Sequence, residues 1–132
     1  MLNLPPAFVA RMQARLGTDH AAFLDSLTAP PPVSLRLQPD KIAPPAGLVP
    51  VPWSVAGRYL PTRPAFALDP WWHGGAYYVQ EASSQMLEAA LGKVVGGPPG
   101  RVLDLCGAPG GKATHVAALL PPGGLLVTNE VI

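Results

Sequence analysis

The residues best suited to chemistry lie close together late in the chain. Asp104-Leu105-Cys106-Gly107-Ala108-Pro109-Gly110-Gly111-Lys112 closes one apolar run and opens another. An acid, several small residues and then a helix-like stretch spell a buried strand, a tight loop and a helix N-terminus. Such a junction turns backbone N–H groups and the positive end of a helix dipole toward a ligand. Small side chains let the backbone approach that ligand closely. The chemistry is recognition of a nucleotide-like cofactor. Glu130 follows about 20 residues later, at the end of the next apolar run, where a carboxylate suits the two hydroxyls of a ribose.

Three loop types compete for these residues. A phosphate-binding P-loop, G-x-x-x-x-G-K-[ST], would need glycine at Cys106 and a hydroxyl at Ala113. Both mismatches fall on mechanistic positions and count against a nucleotide phosphohydrolase. The dinucleotide fingerprint G-x-G-x-x-G is not supplied by Gly107, Pro109 and Gly111, and Pro109 has no N–H to offer a pyrophosphate. The third type is the acid-x-Gly-x-Gly-x-Gly loop of methyltransferases. Asp104, Cys106, Ala108 and Gly110 occupy its positions, with small residues replacing two glycines.

The elements that must hold this loop follow from periodicity. Arg101 to Leu105 reads as a strand, 111–120 as a helix, Pro121-Pro122-Gly123-Gly124 as a break and 125–129 as a second strand. So short a crossover implies a parallel, right-handed βαβ unit. Upstream, Tyr77-Tyr78-Val79-Gln80 leads into a helix with Ala82, Met86, Ala89 and Ala90 on one stripe, ended by Gly92 and the Gly/Pro cluster at 96–100. Near the start, Pro5-Pro6 precedes a helix with Phe8, Val9, Met12 and Leu16 on one face and Gly17 as its stop. Asp19 is placed to cap a second helix carrying Phe23, Leu24 and Leu27. Val33, Leu35 and Leu37 alternate with polar residues, which predicts a half-buried strand. Leu48 to Val55 carries two prolines and suits an edge strand at best. Residues 58–60 and 65–68 read as further short strands.

Composition bounds the function more loosely. The 132 residues suffice for about one domain. A net charge of +1 neither marks nor excludes nucleic-acid binding, because a basic face can hide in a neutral total. Arg11, Arg15, Arg36, Arg58 and Arg63 give the first half most of its positive charge and read as solvated. A single cysteine permits no internal disulfide and fits a reducing compartment. The N-terminus lacks the pattern of a signal peptide, and no apolar run is long enough to span a bilayer, so a cytoplasmic protein is expected. His20, His73 and His115 lack ligand spacing, so no metal is expected. Trp71-Trp72-His73 with Tyr77-Tyr78 reads as a packing cluster before a base-stacking one.

The loop also carries a family likeness. Residues 104–112 closely resemble the first cofactor motif of the Nop/Sun RNA cytosine-5 methyltransferases, spelled D-x-C/A-A-A-P-G-G/S-K-T. Gly107 replaces an alanine, and the threonine comes one place late, at Thr114. Tyr78-Val79-Gln80-Glu81-Ala82-Ser83-Ser84 is similar to the family's Y-x-Q-E-x-S-S/A segment. Ser34-Leu35-Arg36 resembles its S-x-R-x-N strand, with Gln38 in place of asparagine. Val51-Pro52-Trp53 resembles a piece found in bacterial members acting on ribosomal RNA.

The resemblance implies that Cys106, Gly107, Ala108, Pro109, Gly110, Gly111 and Lys112 line S-adenosyl-L-methionine and that Glu130 meets its ribose. Lys112 reads equally as a partner of the cofactor's carboxylate and as a solvated helix-start lysine. Family catalysis implies a cysteine thiolate that attacks C6 of the target cytosine and a second cysteine for product release. Cys106, at the end of the first strand, is expected to pack beneath the cofactor, so no catalytic residue is expected in this chain. A doubly wound sheet needs more strands than these. The expected fold class is α/β: the truncated start of a doubly wound, Rossmann-like S-adenosylmethionine-dependent methyltransferase fold over 76–132. A small α+β region, a candidate RNA guide, precedes it over 1–75. The chain reads as the N-terminal portion of an enzyme making 5-methylcytosine in RNA, inactive by itself. Ribosomal RNA is the favoured partner and transfer RNA the second. The rival reading is a non-catalytic RNA-binding or ribosome-assembly module that keeps the cofactor-like fold.

Overall fold

The computed structural model describes residues 3–98 and 100–131. Parts of two expected features, the N-terminal Met1-Leu2 and Pro99 of the 96–100 break, lie outside the described residues, as does Ile132. Contacts divide the chain into two units, Met1–Pro31 and Pro32–Ile132.

The first unit is helical. Helix α1 spans Pro6–Leu16, with Pro6 in the first turn, where its missing N–H is no loss. Gly17 ends it at φ 53°, and its N–H donates to Gln13 O. Helix α2 spans His20–Ser26, and Phe8 and Phe23 meet with ring centroids 6.3 Å apart. Asp19 does not cap α2. A 3-10 turn over Gly17–Asp19 runs straight into the helix, so Asp19 is already helical and its side chain makes no cap bond.

The second unit is mixed α/β. Strand β1 (Val33–Leu37) lies between β2 (Gly57–Leu60) and β3 (Tyr77–Val79), antiparallel to both, in the order β2-β1-β3. Leu35 pairs with Arg58 on one side and Val79 on the other. Leu35, Leu37 and Tyr77 form the buried core, with Ile42, Leu60, Phe66 and Trp72 packed against it. The alternation in β1 predicted one wet face. Instead Ser34 and Arg36 are each 3% exposed, because β1 is the central strand and other residues cover its polar side. Ser34 Oγ donates to Gln80 O at 2.6 Å on that side.

Two short segments differ from expectation. Residues 48–55 contribute only the isolated bridge Pro50↔Arg58, as the prolines allow. Residues 65–68 are no strand: Phe66–Leu68 is a 3-10 turn closed by Leu68 N–H to Ala65 O. It delivers Asp69, whose Oδ1 caps the short helix α3 (Pro70–His73) at Trp71 N–H. Trp72 packs on Phe66, 5.2 Å between centroids, while Trp71 is 59% exposed and outside the cluster.

After β3 the chain makes a 3-10 turn, Ser83–Met86, before helix α4 (Leu87–Val95). The helix therefore starts later than its apolar stripe implied. Gln85, fully buried, donates to Gln80 O at 3.1 Å and holds the turn tight, so Met86 faces solvent. Strand β4 (Arg101–Asp104), helix α5 (Gly111–Leu119) and strand β5 (Leu125–Thr128) follow. β4 and β5 pair in parallel, Leu103 opposite Val127, as the strand–helix–strand pattern required. No described helix is long and apolar enough to cross a membrane.

Candidate functional site

The glycine loop joins β4 to α5 and is braced from three directions. Asp104 Oδ1 accepts from Cys106 N–H at 3.2 Å, forming the first bend. Gly107 N–H donates to Asn129 O at 2.9 Å, and Asn129 N–H donates to Asp104 O at 2.8 Å, tying the loop to the end of β5. A β-carbon at Gly107 would collide with Thr128 Oγ1, so the close approach requires glycine. Gly110 N–H then donates to Gly107 O, and Gly110, at φ 98°, starts α5 from the left-handed region. The first N–H groups of α5 point back toward the loop without intrahelical acceptors.

The third brace comes from β1 and was missed in the sequence. Arg36 Nε donates to Gln80 Oε1 at 2.9 Å, and Arg36 Nη2 donates to Thr114 Oγ1 at 2.8 Å. Thr114 Oγ1 donates in turn to Gly110 O at 2.7 Å, and Gln80 Nε2 donates to Gly111 O at 3.3 Å. The buried guanidinium thus grips the loop through two side chains. Burial lowers its proton affinity, and the charge of Glu88 partly offsets this. The only signal in the sequence was the pairing of the Ser34-Leu35-Arg36 strand with the late threonine, read there merely as a departure in spelling.

Behind the clamp, His115 is 1% exposed, and its Nε2 lies 3.3 Å from Glu88 Oε2. Burial, then the charge of Arg36, pushes the imidazole below its ordinary value, against the pull of Glu88. Its Nδ1 has no partner among the described residues.

A cavity of about 270 Å³ opens on the loop. Cys106 through Pro109, Gly111 and Lys112 line one side, and Tyr78 through Glu81 with Ser84 line the other. The structure thus brings six of the eight expected site residues to one space. Cys106 is an exposed free thiol in the cavity wall. Gly110 lies behind the wall as the start of the helix. Glu130 does not line the cavity either, but its Oε2 accepts from Ala108 N–H at 3.0 Å, which brings it to the loop. Tyr78 Oη donates to Pro109 O at 3.4 Å and closes one end. Among the described residues no group of three or more His, Cys, Asp or Glu side chains gathers as a metal site.

Comparison with known proteins identifies the surroundings of this site. A ribosomal RNA small subunit methyltransferase F from Erwinia tasmaniensis is 34% identical over 96% of this chain, which spans 30% of that relative's length. The crystal structure of PH0851 superposes with a TM-score of 0.74 at 24% identity, over 94% of this chain and 30% of that one, a likeness of fold. A methyltransferase homolog protein from Pyrococcus horikoshii superposes with a TM-score of 0.65 at 25% identity, over 95% of this chain and 48% of that one. Residues 4–82 match the family described as the N-terminal domain of 16S rRNA methyltransferase RsmF, and the chain belongs to that family, within the Nop/Sun methyltransferases.

Proposed function

We infer that this chain is the N-terminal, cofactor-holding part of an S-adenosylmethionine-dependent RNA cytosine-5 methyltransferase that acts on ribosomal RNA. The observation that carries the reading is Asp104 Oδ2, buried and without a hydrogen-bond partner among the described residues, at the end of β4 where the glycine loop begins. A buried carboxylate oxygen calls for a donor or a cation. S-adenosylmethionine offers an ammonium and a sulfonium, so the residues fit the group. ATP shares the adenosine but has a triphosphate in place of the ammonium and sulfonium, so it brings no cation to that oxygen. The parallel β4–α5–β5 unit supports a Rossmann-like start, because its bare second face, with Leu103 and Val127 exposed, is the face that a doubly wound sheet covers with helices.

When bound, the cofactor supplies an electrophilic methyl group. The chain's own residues bind and orient it. The N-terminus of α5 and Lys112 would meet the carboxylate of the methionine part, Cys106 to Gly111 its body, and Glu130 the ribose hydroxyls. Cys106 is the chain's one cysteine and sits in the wall of the cofactor cavity, so the thiolate that attacks the base belongs elsewhere in the enzyme. The proposed division of labour is that of the sequence reading, 1–75 guiding RNA and 76–132 holding the methyl donor, with Arg36 of the first region bracing the cofactor loop.

Two measurements test this. Calorimetry should detect S-adenosylmethionine but not ATP, and Asp104→Asn should weaken binding roughly tenfold, the scale of a charged hydrogen bond. Tight ATP binding would overturn the assignment. Incubation with methyl-labelled cofactor and unmodified 16S ribosomal RNA should leave cytosine unlabelled; label above a heat-killed control would refute the expected inactivity of the isolated chain.

A further inference from the structure

A second cavity, of about 310 Å³, lies beside the first and is not explained by cofactor binding. Its lining includes Arg36, Gln38, Trp72, His73, Tyr78 and Thr114. Tyr78 lines both cavities, and Thr114 stands in the first turn of α5. Tyr78 is thus a wall common to both spaces.

We propose that this cavity takes one unpaired nucleobase of the RNA strand, next to the methyl donor. The proposal rests on the methyltransferase reading and names where the substrate strand is held. Three features carry it. Trp72 is half-buried, fixed against Phe66 at 5.2 Å and edge-on to His73 at 4.9 Å, so an aromatic wall is already built. The side-chain amide of Gln38 has no hydrogen-bond partner among the described residues and offers both donor and acceptor. The Arg36 guanidinium uses Nε and Nη2 on the loop clamp, and its remaining amino group has no hydrogen-bond partner among the described residues. An aromatic wall, an amide and a guanidinium N–H suit a flat heterocycle with carbonyl and ring-nitrogen acceptors. The volume, roughly ten times the ~30 Å³ that one water occupies in the liquid, admits such a ring. A phosphate is a poorer match, since aromatic rings and a neutral amide make up most of the lining beside the single guanidinium. A paired base could not enter without leaving its helix.

The test uses the chain itself and short fluorescent strands of abasic ribonucleotides carrying one central base or none. Fluorescence anisotropy should show the base-bearing strand binding roughly tenfold tighter, the scale of one stacked base. Gln38→Ala should weaken only the base-bearing strand, by roughly fivefold for a lost hydrogen bond. Trp72→Phe, which preserves the packing on Phe66, should also narrow the difference between the strands. Both variants should keep the parent's affinity for S-adenosylmethionine, and Gln38→Ala should also keep its melting temperature. Equal binding of the two strands, unchanged discrimination in both variants, or free nucleoside monophosphates binding as tightly as the strand would each overturn the proposal. Failure to bind S-adenosylmethionine would sink the methyltransferase reading alone, because the strand comparison is scored independently of it.

Discussion

Gly110 and Gly107 serve the loop by different physics. Gly110 needs its φ of 98°, where a β-carbon meets the following carbonyl. Nothing else lies within 4 Å of where that β-carbon would stand, so the strain is purely conformational. Gly110→Ala should cost about 1–2 kcal/mol, read from the urea midpoint, and should weaken S-adenosylmethionine by displacing the first turn of α5. Gly107 is constrained by a neighbour, Thr128 Oγ1. Gly107→Ala should cost about 1 kcal/mol of overpacking, and adding Thr128→Ala should restore most of it. If the double variant is no more stable than the single, the steric account of Gly107 fails. The likeness in spelling to a family that carries alanine there could not show this, because the colliding atom comes from a different strand.

At the scale of elements, the clamp from β1 to α5 and the buried histidine behind it set the tolerance of the site. Arg36→Met keeps the length but leaves Gln80 and Thr114 short of a donor, a loss of about 1–3 kcal/mol. Arg36→Lys should not rescue it, since an ammonium cannot span both acceptors as the guanidinium fork does. A rescue by lysine, in stability and in cofactor affinity together, would show that charge alone matters. His115 adds a pH dependence of definite sign. Its folded-state affinity for protons lies below the ordinary 6.5, so the folded chain prefers the neutral ring. The unfolded chain takes up a proton near that value and the folded chain only at lower pH. This contribution to stability is complete above pH 6.5 and declines as pH falls from there toward the folded value. Melting curves between pH 5 and 8 should show the decline, and His115→Gln should flatten it. α5, β4 and β5 were legible because each carries its own period and breaker. The 3-10 start of α4 was not, because it depends on Gln85 reaching back to the backbone of residue 80.

For the whole molecule, the most consequential surface is the uncovered face of the parallel pair. Leu103 is 60% exposed, Leu125 53% and Val127 49%, and the register, with Leu103 opposite Val127 and Arg101 opposite Leu125, puts them on one face. Contiguous apolar surface of this kind drives association. Sedimentation velocity should show this chain self-associating as concentration rises, and Leu125→Lys should shift it toward monomer. A parent chain that stays monomeric throughout would remove the patch from consideration. The strand order β2-β1-β3 is a second property of this scale, since it pairs residues 35–37 with residues 77–79 across the intervening segment 38–76.

The sequence alone determined the glycine loop, the helix behind it, the parallel strands on either side and the acid at the end of the second strand. These are local: each is written in the turn chemistry and periodicity of a few consecutive residues. The tertiary structure decided which faces are covered. Period two showed that the side chains of β1 point two ways, but not that both ways lead into protein. Arg36 read as one of several scattered charges until the fold set it against Thr114, 78 residues away. A side chain's direction is encoded near it in the chain, whereas its partner is chosen by the packing of distant elements.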